Sequence, residues 1–479
     1  MFDETIAAIA TPLGEGGLAV IRLSGENAFA IADKCFLPVG KSSCKPSAAP
    51  THTIQFGKIV RAKVSGSLAP LGEEGCGEGN LEVIDEVLLA VLRAPRTFTR
   101  EDTVEISCHG GLLPAKLVLD TALKNGARMA EPGEFTKRAF LNGRIDLAQA
   151  EAVADLIHSR TELALAAANE QLAGKLSQRI NKLRDDLMHT LAHVEAHIDF
   201  PDEDIAPDTK ENLLQRLESG IVFMDELLRT ADEGQILRRG IRAAIIGRPN
   251  AGKSSLLNQL LGRDRAIVSP IAGTTRDTIE ETANIRGLPV VFIDTAGLRE
   301  SRDEIEIEGI RRSRESLAQA ELILHVLDAS EPLTEADKNY FAEFAGKKTI
   351  LVRNKTDLPV KLELNSEFRI QNSESRSVNV CCTSGQGIEA LKDAIKNLVW
   401  AGEIKAEMLQ VAINSRHQDA LRRARFSVRE ATDALIANAT LELVAMDLRI
   451  GANAVGEIVG KTTTEDLLDS IFSSFCIGK

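Results

Sequence analysis

The sequence contains few aromatic residues: Phe, Trp and Tyr make up 4% of the 479 residues, with one Trp and one Tyr. Its cores must therefore be built mainly from Leu, Ile, Val and Ala. No apolar run reaches the ~18 residues that a transmembrane helix requires. The first residues, MFDETIAAIATP, also lack the basic-then-apolar order of a secretory signal. We therefore expect a cytoplasmic protein that makes no use of a membrane.

Cysteine is also scarce, with seven residues at scattered spacings and no C-x-x-C pair. This pattern suggests neither a zinc ribbon nor a disulfide framework, and it predicts reduced thiols that are mostly buried. Basic residues do not outnumber acids, because the formal net charge is −13. That balance argues against a general nucleic-acid coat protein, which neutralises phosphates with surplus Lys and Arg.

A length of 479 residues suggests two to four domains. The pattern of predicted strands and helices changes along the chain in agreement with this number. Residues 1–142 mix strand and helix patterns, and residues 143–239 carry apolar residues at helical spacing, with one or two long helices expected before 200. Residues 240–399 alternate strand and helix signals. Residues 400–479 return to helix, with a single helix expected over 420–446. The predicted fold class is a multidomain α/β plus α protein, in which an α/β unit interrupts a helical body whose two parts pack together.

A phosphate-binding loop begins the inserted unit. The segment GRPNAGKS at 247–254 follows a predicted strand at 241–246 and precedes a predicted helix at 255–261. This is the G-x-x-x-x-G-K-S pattern in the strand–loop–helix setting that makes it credible. Backbone N–H groups would surround the phosphates, Lys253 would reach the outer ones, and the Ser254 hydroxyl would bind Mg²⁺.

Two further motifs identify the base as guanine. The strand at 288–293 ends in DTAG, so that Asp294 can hold Mg²⁺ through water and Gly297 can offer its N–H to the γ-phosphate. The strand at 349–352 leads into NKTD, in which the Asp357 carboxylate can accept from both N1–H and N2–H of guanine. Adenine lacks that pair of donors, and its binding would leave polar groups unpaired.

The remaining nucleotide loops are less regular. The segment GTTRD at 273–277 corresponds to the first switch. One of its threonines would bind Mg²⁺ when the γ-phosphate is present, and we expect this residue to be Thr275. The fifth loop carries Cys381, Cys382 and Thr383 where related GTPases usually have Ser-Ala-Lys. Because backbone N–H groups do most of the work in that loop, we expect it to function, with a possible shift in nucleotide affinity.

Leu298 is the main departure from a small GTPase. Many such proteins place Gln directly after D-x-x-G to orient the attacking water, and leucine has neither donor nor acceptor. Another group must therefore assist hydrolysis. The acidic stretch at 299–306 is one source, although it also suits a solvated loop.

Cys476 is the last residue of note, in the terminal segment FCIGK at 475–479. It stands fourth from the end, but the final Gly-Lys does not complete a prenylation signal. From the pattern alone, Cys476 is either a core residue, which we favour, or a nucleophile.

Taken together, these residues resemble the MnmE (TrmE) family of tRNA uridine-modification GTPases, and the resemblance covers essentially the whole chain. The segments that carry it, besides the GTPase motifs and the split helical region, are Gly110-Gly111, PGEF at 132–135, RAFLN at 138–142, DFPDE at 199–203 and CIGK at 476–479.

The resemblance implies a K⁺-dependent GTPase that acts with the flavoprotein MnmG (GidA), in a heterotetramer or a larger assembly. The pair would install an aminomethyl or carboxymethylaminomethyl group on C5 of the wobble uridine of certain tRNAs. A tetrahydrofolate derivative, 5-formyl- or 5,10-methylene-tetrahydrofolate, would bind the α+β amino-terminal domain, which would also form a homodimer. FAD is expected on the partner and not on this chain.

The same resemblance assigns residues. The catalytic residues would be Glu306 and Cys476, the K⁺ contacts Asn250, Ser269, Ile271 and Thr274, and the folate contacts Arg22, Glu105, Arg144 and Lys479. The residues expected around GTP are Asn250, Ala251, Gly252, Lys253, Ser254, Ser255, Ser269, Pro270, Ile271, Ala272, Gly273, Thr274, Asp294, Thr295, Ala296, Gly297, Asn354, Lys355, Thr356, Asp357, Cys381, Cys382 and Thr383.

Two other classes compete with this interpretation. A ribosome-assembly or translation GTPase would share the phosphate loop, but it usually appends an RNA-binding module where this chain continues as helix. A dynamin-like mechanical GTPase would share hydrolysis triggered by dimerisation, but it should present a surface that contacts a membrane or a polymer.

Overall fold

The structure is a computed structural model that describes residues 4–40, 44–63, 81–199, 210–229, 231–262, 281–293, 318–343, 346–363, 376–400, 413–473 and 475–478. The chain divides into two compact units. The first contains Met1–Glu151 and Thr462–Lys479, and the second contains Ala152–Pro270 and Thr274–Lys461. Within the described ranges, no helix is both long and apolar enough to span a membrane.

The first unit is built on a mixed sheet. Its strands are β1 (Ile6–Ile9), β2 (Leu18–Ser24), β3 (Phe36–Pro38), β4 (Thr53–Ala62), β5 (Leu81–Leu92), β6 (Thr103–His109) and β7 (Arg128–Met129). Among the described residues they lie in the order β3-β4-β5-β6-β2-β1-β7, antiparallel except for β1 and β7. Helices α1 (Ala28–Cys35) and α2 (Leu112–Lys124) share one core with the sheet's inward-facing residues. The opposite side chains of β4 and β5 are left exposed, as alternation along a strand requires.

Residues from the far end of the chain complete this unit. Helix α14 (Glu465–Phe472) packs on α3 (Glu134–Leu141), and Lys137 Nζ lies 2.6 Å from Asp469 Oδ1. Beyond α14, Ile477 pairs with Pro132 in an isolated antiparallel bridge. Gly133 has a φ of +69°, and a Cβ there would lie 2.5 Å from the Phe472 carbonyl oxygen. The docking of the tail therefore depends on a glycine at this position.

Helices α4 (Leu147–His158), α5 (Glu162–Leu172) and α6 (Lys175–Asp199) stand where one or two long helices were expected. The chain breaks after α4 at Thr161, whose side chain accepts from Ala164 N at 3.2 Å and caps α5. It breaks again at Gly174, whose φ of +83° ends α5. An N-cap hydroxyl and a left-handed glycine are efficient helix boundaries, so the expected number of helices was wrong.

The single helix expected over 420–446 is also wrong, because the structure has α12 (Ser415–Ile436) and α13 (Leu441–Val459). Asn438, with a φ of 56°, turns the chain between them. Helix α13 packs against α6, and α12 packs against α7 (Lys210–Arg229). The predicted packing of helices before and after the insert is thus confirmed. Helix α8 (Ala231–Arg239) leads into the inserted unit.

The inserted unit is an α/β domain whose described strands are β8 (Ile241–Ile246), β9 (Glu281–Ile285), β10 (Leu288–Phe292), β11 (Leu322–Asp328), β12 (Lys348–Asn354) and β13 (Arg376–Asn379). Their order is β13-β12-β11-β8-β10-β9, parallel except for the β9–β10 hairpin. Helices α9 (Lys253–Leu261) and α11 (Ile388–Val399) join the core, and α10 (Glu335–Glu343) follows β11. The parallel strands bring the loops that follow β8, β11 and β12 to one edge, where ligands bind in open α/β sheets.

The predicted fold class is confirmed; the domain bounds at 142, 239 and 399 stay predictions.

Candidate functional site

The phosphate loop leaves β8 at Ile246 and enters α9 at Lys253. Two of its glycines have positive φ, +142° at Gly247 and +99° at Gly252. A Cβ at Gly247 would lie 2.3 Å from the Val326 carbonyl oxygen, and one at Gly252 would lie 2.1 Å from Asn354 Nδ2. Both positions therefore require glycine for conformation and for space. The result is a loop whose backbone passes close to β11 and β12 and then begins a helix.

Lys253 lies over this loop. Its Nζ donates to the carbonyl oxygens of Gly247 at 2.9 Å and Arg248 at 2.8 Å. Burial lowers the pKa of Lys253, because a partly desolvated ammonium loses hydration. The amine thus stands at the N-terminus of α9, where backbone N–H groups and the helix dipole favour an anion.

Asn354 connects the phosphate loop to the loop that follows β13. Its Nδ2 donates to the Ala251 carbonyl at 2.9 Å, and its Oδ1 accepts from Cys382 N at 3.2 Å. The residue is 2% exposed, so these amide groups have little access to solvent and depend on their protein partners. The Asn354 side chain therefore fixes the position of the phosphate loop relative to the loop that follows β13.

Lys355 adopts a φ of 60° and forms an ion pair with Asp328, Nζ to Oδ2, at 2.6 Å. Burial acts to raise the pKa of Asp328, but hydrogen bonds from Lys355 and Ser330 outweigh it and lower the pKa below its usual value. Asp328 therefore stays ionised and holds the side chain of Lys355, which lies in the NKTD motif expected to bind guanine. Sequence reasoning missed Asp328; an acid at the end of an apolar strand was the available signal.

The fifth loop places a thiol against the residue expected to read guanine. Cys381 Sγ lies 3.3 Å from Asp357 Oδ1 and 3.0 Å from Thr383 Oγ1. Hydrogen bonds from Ser384 and Thr383 lower the pKa of Cys381, and the neighbouring Asp357 carboxylate opposes them. Cys382 contributes through its backbone, since its carbonyl accepts from Gln259 Nε2 at 2.7 Å. The backbone of Cys382 thus links this loop to Gln259 and Asn354, and the role expected of its N–H groups toward the nucleotide stays a prediction.

These loops surround one cavity of about 590 Å³, a size that suits a nucleotide. Its lining includes ten of the predicted GTP residues: Asn250, Gly252, Lys253, Ser254, Ser255, Asn354, Lys355, Asp357, Cys382 and Thr383. Pro249 and Leu358 also line it and were not predicted, because apolar neighbours of a motif carry no chemical signal. The other three described GTP residues do not line the cavity but form hydrogen bonds within the loops. These bonds join Ala251 to Asn354, Thr356 to Val380 and Cys381 to Asp357.

The remaining predicted residues of the nucleotide site lie outside the described residues. They are Ser269, Pro270, Ile271, Ala272, Gly273, Thr274, Thr275, Asp294, Thr295, Ala296, Gly297 and Glu306. The Ser254 hydroxyl, which lines the cavity directly after Lys253, fits the preference of Mg²⁺ for hard oxygen ligands. Asn250, the residue predicted to contact K⁺, also lines the cavity.

A second group of predicted residues meets in the first unit. Arg22 on β2 pairs in register with Glu105 on β6, and Arg22 Nε lies 2.8 Å from Glu105 Oε1. The same guanidinium faces the Gly478 carbonyl at 3.5 Å and stacks 5.7 Å from the Phe135 ring centre. Two of the four folate candidates are thus in contact beside the chain's last described residue, and Lys479 lies outside the described residues.

The other two candidates of this unit are Arg144 and Cys476. Arg144 donates to the Thr97 carbonyl at 2.7 Å and stacks 5.7 Å from the Phe98 ring centre. The structure gives no contact between Arg144 and the Arg22 pair. Cys476 is exposed, and its carbonyl accepts from Gly133 N at 3.4 Å. The interpretation of Cys476 as a core residue is therefore wrong.

The MnmE helical domain family matches residues 147–476, and the family described as the GTP-binding protein TrmE N-terminus matches residues 5–144. The tRNA modification GTPase MnmE of Geobacillus kaustophilus is 46% identical over 478 residues, which cover 99% of each chain. That of Listeria welshimeri is 46% identical over 477 residues, again 99% of each chain. The chain belongs to the MnmE (TrmE) family of tRNA modification GTPases.

Membership of this family confirms the predicted resemblance and the prediction of a GTP hydrolase of tRNA modification. Among solved structures, the chain is similar to the G domain of the T. maritima FeoB iron transporter. The two are 23% identical with a TM-score of 0.25, and the match covers 33% of this chain and 98% of that one. A likeness at this score carries no weight for the function.

Proposed function

We propose that the protein is a cytoplasmic, K⁺-dependent GTPase that modifies the wobble uridine of certain tRNAs at C5. It would act with the flavoprotein MnmG, which carries FAD, and take its one-carbon unit from a tetrahydrofolate derivative. The observation that carries the GTPase part is the cavity that Lys253, Asn354 and Asp357 line together. The tRNA, flavoprotein and folate parts are supported by membership of the MnmE family.

The GTP part follows from the described loops. Backbone N–H groups at the start of α9 and the Lys253 amine would bind the β- and γ-phosphates, while Ser254 would supply a hydroxyl to Mg²⁺. The metal would neutralise charge that develops between these phosphates in hydrolysis. Asp357 would accept from guanine N1–H and N2–H, held in place by Cys381 at 3.3 Å. Asn354 keeps the two loops at one distance from each other, which suits a ligand that must reach both.

Hydrolysis requires a group that Leu298 cannot provide. We propose that K⁺, bound by Asn250, Ser269, Ile271 and Thr274, supplies positive charge near the phosphates, and that Glu306 positions the water. Glu306→Ala should then lower kcat by ~10²-fold while leaving GTP affinity nearly unchanged, because the residue would act in the transition state. Single-turnover hydrolysis measures the effect, with Glu304→Ala as the neighbouring control. Parent-like hydrolysis by Glu306→Ala would reject this assignment.

We also propose that the first unit binds the folate and forms a homodimer. Arg22 and Glu105 offer a charged donor and acceptor that remain 23% and 31% exposed, so they can reach the glutamate and pterin groups of a folate. Exposed Ile54, Phe56 and Leu88 lie on the uncovered side of β4 and β5, with Phe56 directly opposite Leu88. An apolar sheet face of this kind is a natural surface for a second copy of the chain.

The proposed function is tested by reconstituting the reaction with GTP, 5,10-methylene-tetrahydrofolate, the flavoprotein, unmodified tRNA and an amine, either ammonium or glycine, which supplies the nitrogen of the aminomethyl or carboxymethylaminomethyl group. We expect a C5 substituent on the wobble uridine only when all components are present, and faster GTP turnover in K⁺ than in Na⁺. Equal turnover in the two salts would remove the K⁺ proposal. GTP turnover that responds to ribosomal particles but not to the flavoprotein would favour a ribosome-assembly GTPase instead.

A further inference from the structure

Arg248 is the second residue of the phosphate loop, and its side chain is held away from the nucleotide cavity. Its Nε lies 3.1 Å from Asp337 Oδ2 on α10, and its Nη1 lies 3.0 Å from Glu331 Oε2. The Glu331 carboxylate is 57% exposed, whereas that of Asp337 is 1% exposed. The contact with Asp337 is therefore the one in which the charges are shielded from water and interact strongly.

Asp337 is itself well positioned. Its Oδ2 accepts from the backbone N of Thr334 at 3.0 Å and from Thr334 Oγ1 at 2.8 Å. Thr334 immediately precedes α10, so the Asp337 carboxylate satisfies a backbone N–H at the start of the helix, as the acidic residue of a capping box does. The carboxylate is thus held at the first turn of α10 and cannot move toward solvent without losing its two hydrogen bonds from Thr334.

Arg248 supplies the positive charge that this buried carboxylate needs. His325 on β11 is close enough to feel the Asp337 charge, but burial lowers the pKa of His325 to about 4, against a weaker opposing effect of Asp337. The imidazole is therefore neutral near pH 7. Lys338 is engaged on the surface with Glu335 at 2.5 Å. An ionised carboxylate that lost its guanidinium partner would be strongly destabilised.

The backbone of Arg248 bears directly on the phosphate-binding lysine. Its carbonyl accepts from Lys253 Nζ at 2.8 Å and from Ala251 N at 3.3 Å. Between these residues the loop passes through Asn250, with a φ of 62°. A non-glycine residue in this conformation stores strain and persists only where its surroundings hold it. The ion pair on the outside of the loop can provide that restraint.

We propose that Arg248 is a positioning residue for phosphate binding: its ion pair with Asp337 anchors the loop that places Lys253. The inference rests on the proposed binding of GTP and GDP, and it names a contact outside the nucleotide cavity. The anchor joins α10 to the phosphate loop, so the rate of nucleotide release depends on a buried ion pair that the nucleotide never touches.

The test is the release rate of a fluorescent GDP analogue from the full-length protein, measured by stopped flow. R248M keeps much of the aliphatic stem and removes the charge, and we expect release about tenfold faster. D337N should accelerate release to a similar extent, and R248M/D337N should be no faster than either, because both changes remove one interaction. R248K keeps the charge with a single contact and should fall between R248M and the parent.

R286M is the matched control, because Arg286 forms surface ion pairs in the same domain, with Glu389 at 2.9 Å and Asp393 at 2.7 Å. Its release rate should stay within twofold of the parent. Parent-like release from R248M, or accelerations that multiply in the double variant, would overturn the proposal. A lower melting temperature with unchanged release would assign Arg248 a purely structural role. If R248M does not fold, R248K and D337N decide by the same rates. A parent chain that fails to bind GDP would instead reject the proposed function.

Discussion

The two candidate sites of this chain are assembled in different ways. In the second unit, the nucleotide cavity is made by short loops after adjacent parallel strands, and its polar atoms bond mainly to backbone, as Lys253 and Asn354 do. In the first unit, Arg22, Glu105 and Gly478 come from three distant parts of the chain. The Arg22 side chain joins them through an ion pair with Glu105 and a contact with the Gly478 backbone carbonyl. The cavity is therefore preorganised by local backbone geometry, whereas the cluster depends on the sheet register and on the docked tail.

This difference predicts where each site is vulnerable. A change in backbone conformation should disable the nucleotide cavity, because its groups have few alternative positions. A change of a single charge should weaken the Arg22 cluster without collapsing it. The two sites should also respond independently to substitution.

The largest effect is expected for Gly252→Ala. The added methyl group would meet Asn354 Nδ2 at 2.1 Å in a residue whose φ is +99°. Alanine must therefore adopt a strained conformation and break the Asn354 hydrogen bonds, at a combined cost of about 3–5 kcal/mol. GDP affinity by fluorescence titration should fall by ~10³-fold, with folate binding retained. Gly346→Ala is the control, since a Cβ there meets nothing within 4 Å. A Gly252→Ala protein that binds GDP within tenfold of the parent would contradict a preorganised loop.

The next effect concerns the choice of base. Asp357→Asn replaces one acceptor oxygen by an amide that faces guanine N–H groups, and the loss of GDP affinity should be about 2–4 kcal/mol. Asp393→Asn, on the surface of the same domain beside Arg286, should leave GDP affinity unchanged. Competition experiments with ATP accompany the titration. Displacement of labelled GDP from the parent by ATP at comparable concentration would show that the base is not read in this way.

Arg22→Met tests the first unit. Loss of a charged hydrogen-bond donor should weaken binding of 5-formyl-tetrahydrofolate by about 30-fold, or ~2 kcal/mol, and leave GDP binding at the parent value. Isothermal titration with both ligands gives the comparison. Arg61→Met removes another arginine from the same sheet, one that pairs with Glu82 at 2.8 Å on its surface, and should change neither affinity. Parent-like folate binding by Arg22→Met would separate this cluster from the folate site.

The smallest expected effect is on the free energy of unfolding, which should depend on pH differently in the two units. Burial lowers the pKa of His325 from 6.5 to about 4, so the unfolded chain binds a proton that the native domain excludes. Stability is then complete above pH 6.5 and falls as the pH drops toward 4, by about 1.4 kcal/mol at pH 5.5. His325→Gln should lose this dependence in urea titrations, whereas exposed His158→Gln should keep it. A parent whose stability is equal at pH 7.5 and 5.5 would refute the prediction.

In the first unit, Glu134 should affect stability only at lower pH. Burial acts to raise the pKa of Glu134, but hydrogen bonds from Arg128, the Glu131 backbone and Arg138 together lower it below 4.5. A depressed carboxylate pKa contributes stability above the unfolded value and loses it as the pH falls through the folded one. Glu134→Gln should therefore change the pH dependence below 4.5 and not between 5.5 and 7.5.

The same contrast explains how much of each site could be predicted from the sequence. Lys253, Asn354 and Asp357 lie in contiguous motifs that follow apolar strands, and parallel strand order brings such loops together without further information. The ion pair of Arg248 with Asp337 could not be predicted, because it depends on how α10 returns over the phosphate loop. Arg22 and Glu105 meet because of the register between β2 and β6. Their spacing in the sequence does not predict this contact, and they were assigned from the resemblance to a family.

The fold shows the same limits. Strands β8 and β10 and helix α1 follow from apolar runs and turn residues. The breaks at Gly174 and Asn438 were missed because a single left-handed residue is a weak signal inside a helical pattern, and their φ values of +83° and 56° are visible only in the structure. The exposure of Cys476 likewise depends on where the tail docks.

That docking has a consequence for the order of synthesis. Helix α3 is complete by Leu141, but its partner α14 begins at Glu465, so roughly 300 residues must be translated between them. At about 5–20 residues per second this interval lasts about 15–60 s. Throughout it, the groove that receives Phe472, including Gly133 and the Phe140 ring, exists on the nascent chain without its partner. The unit that contains α3 is therefore completed only after α14 has been translated.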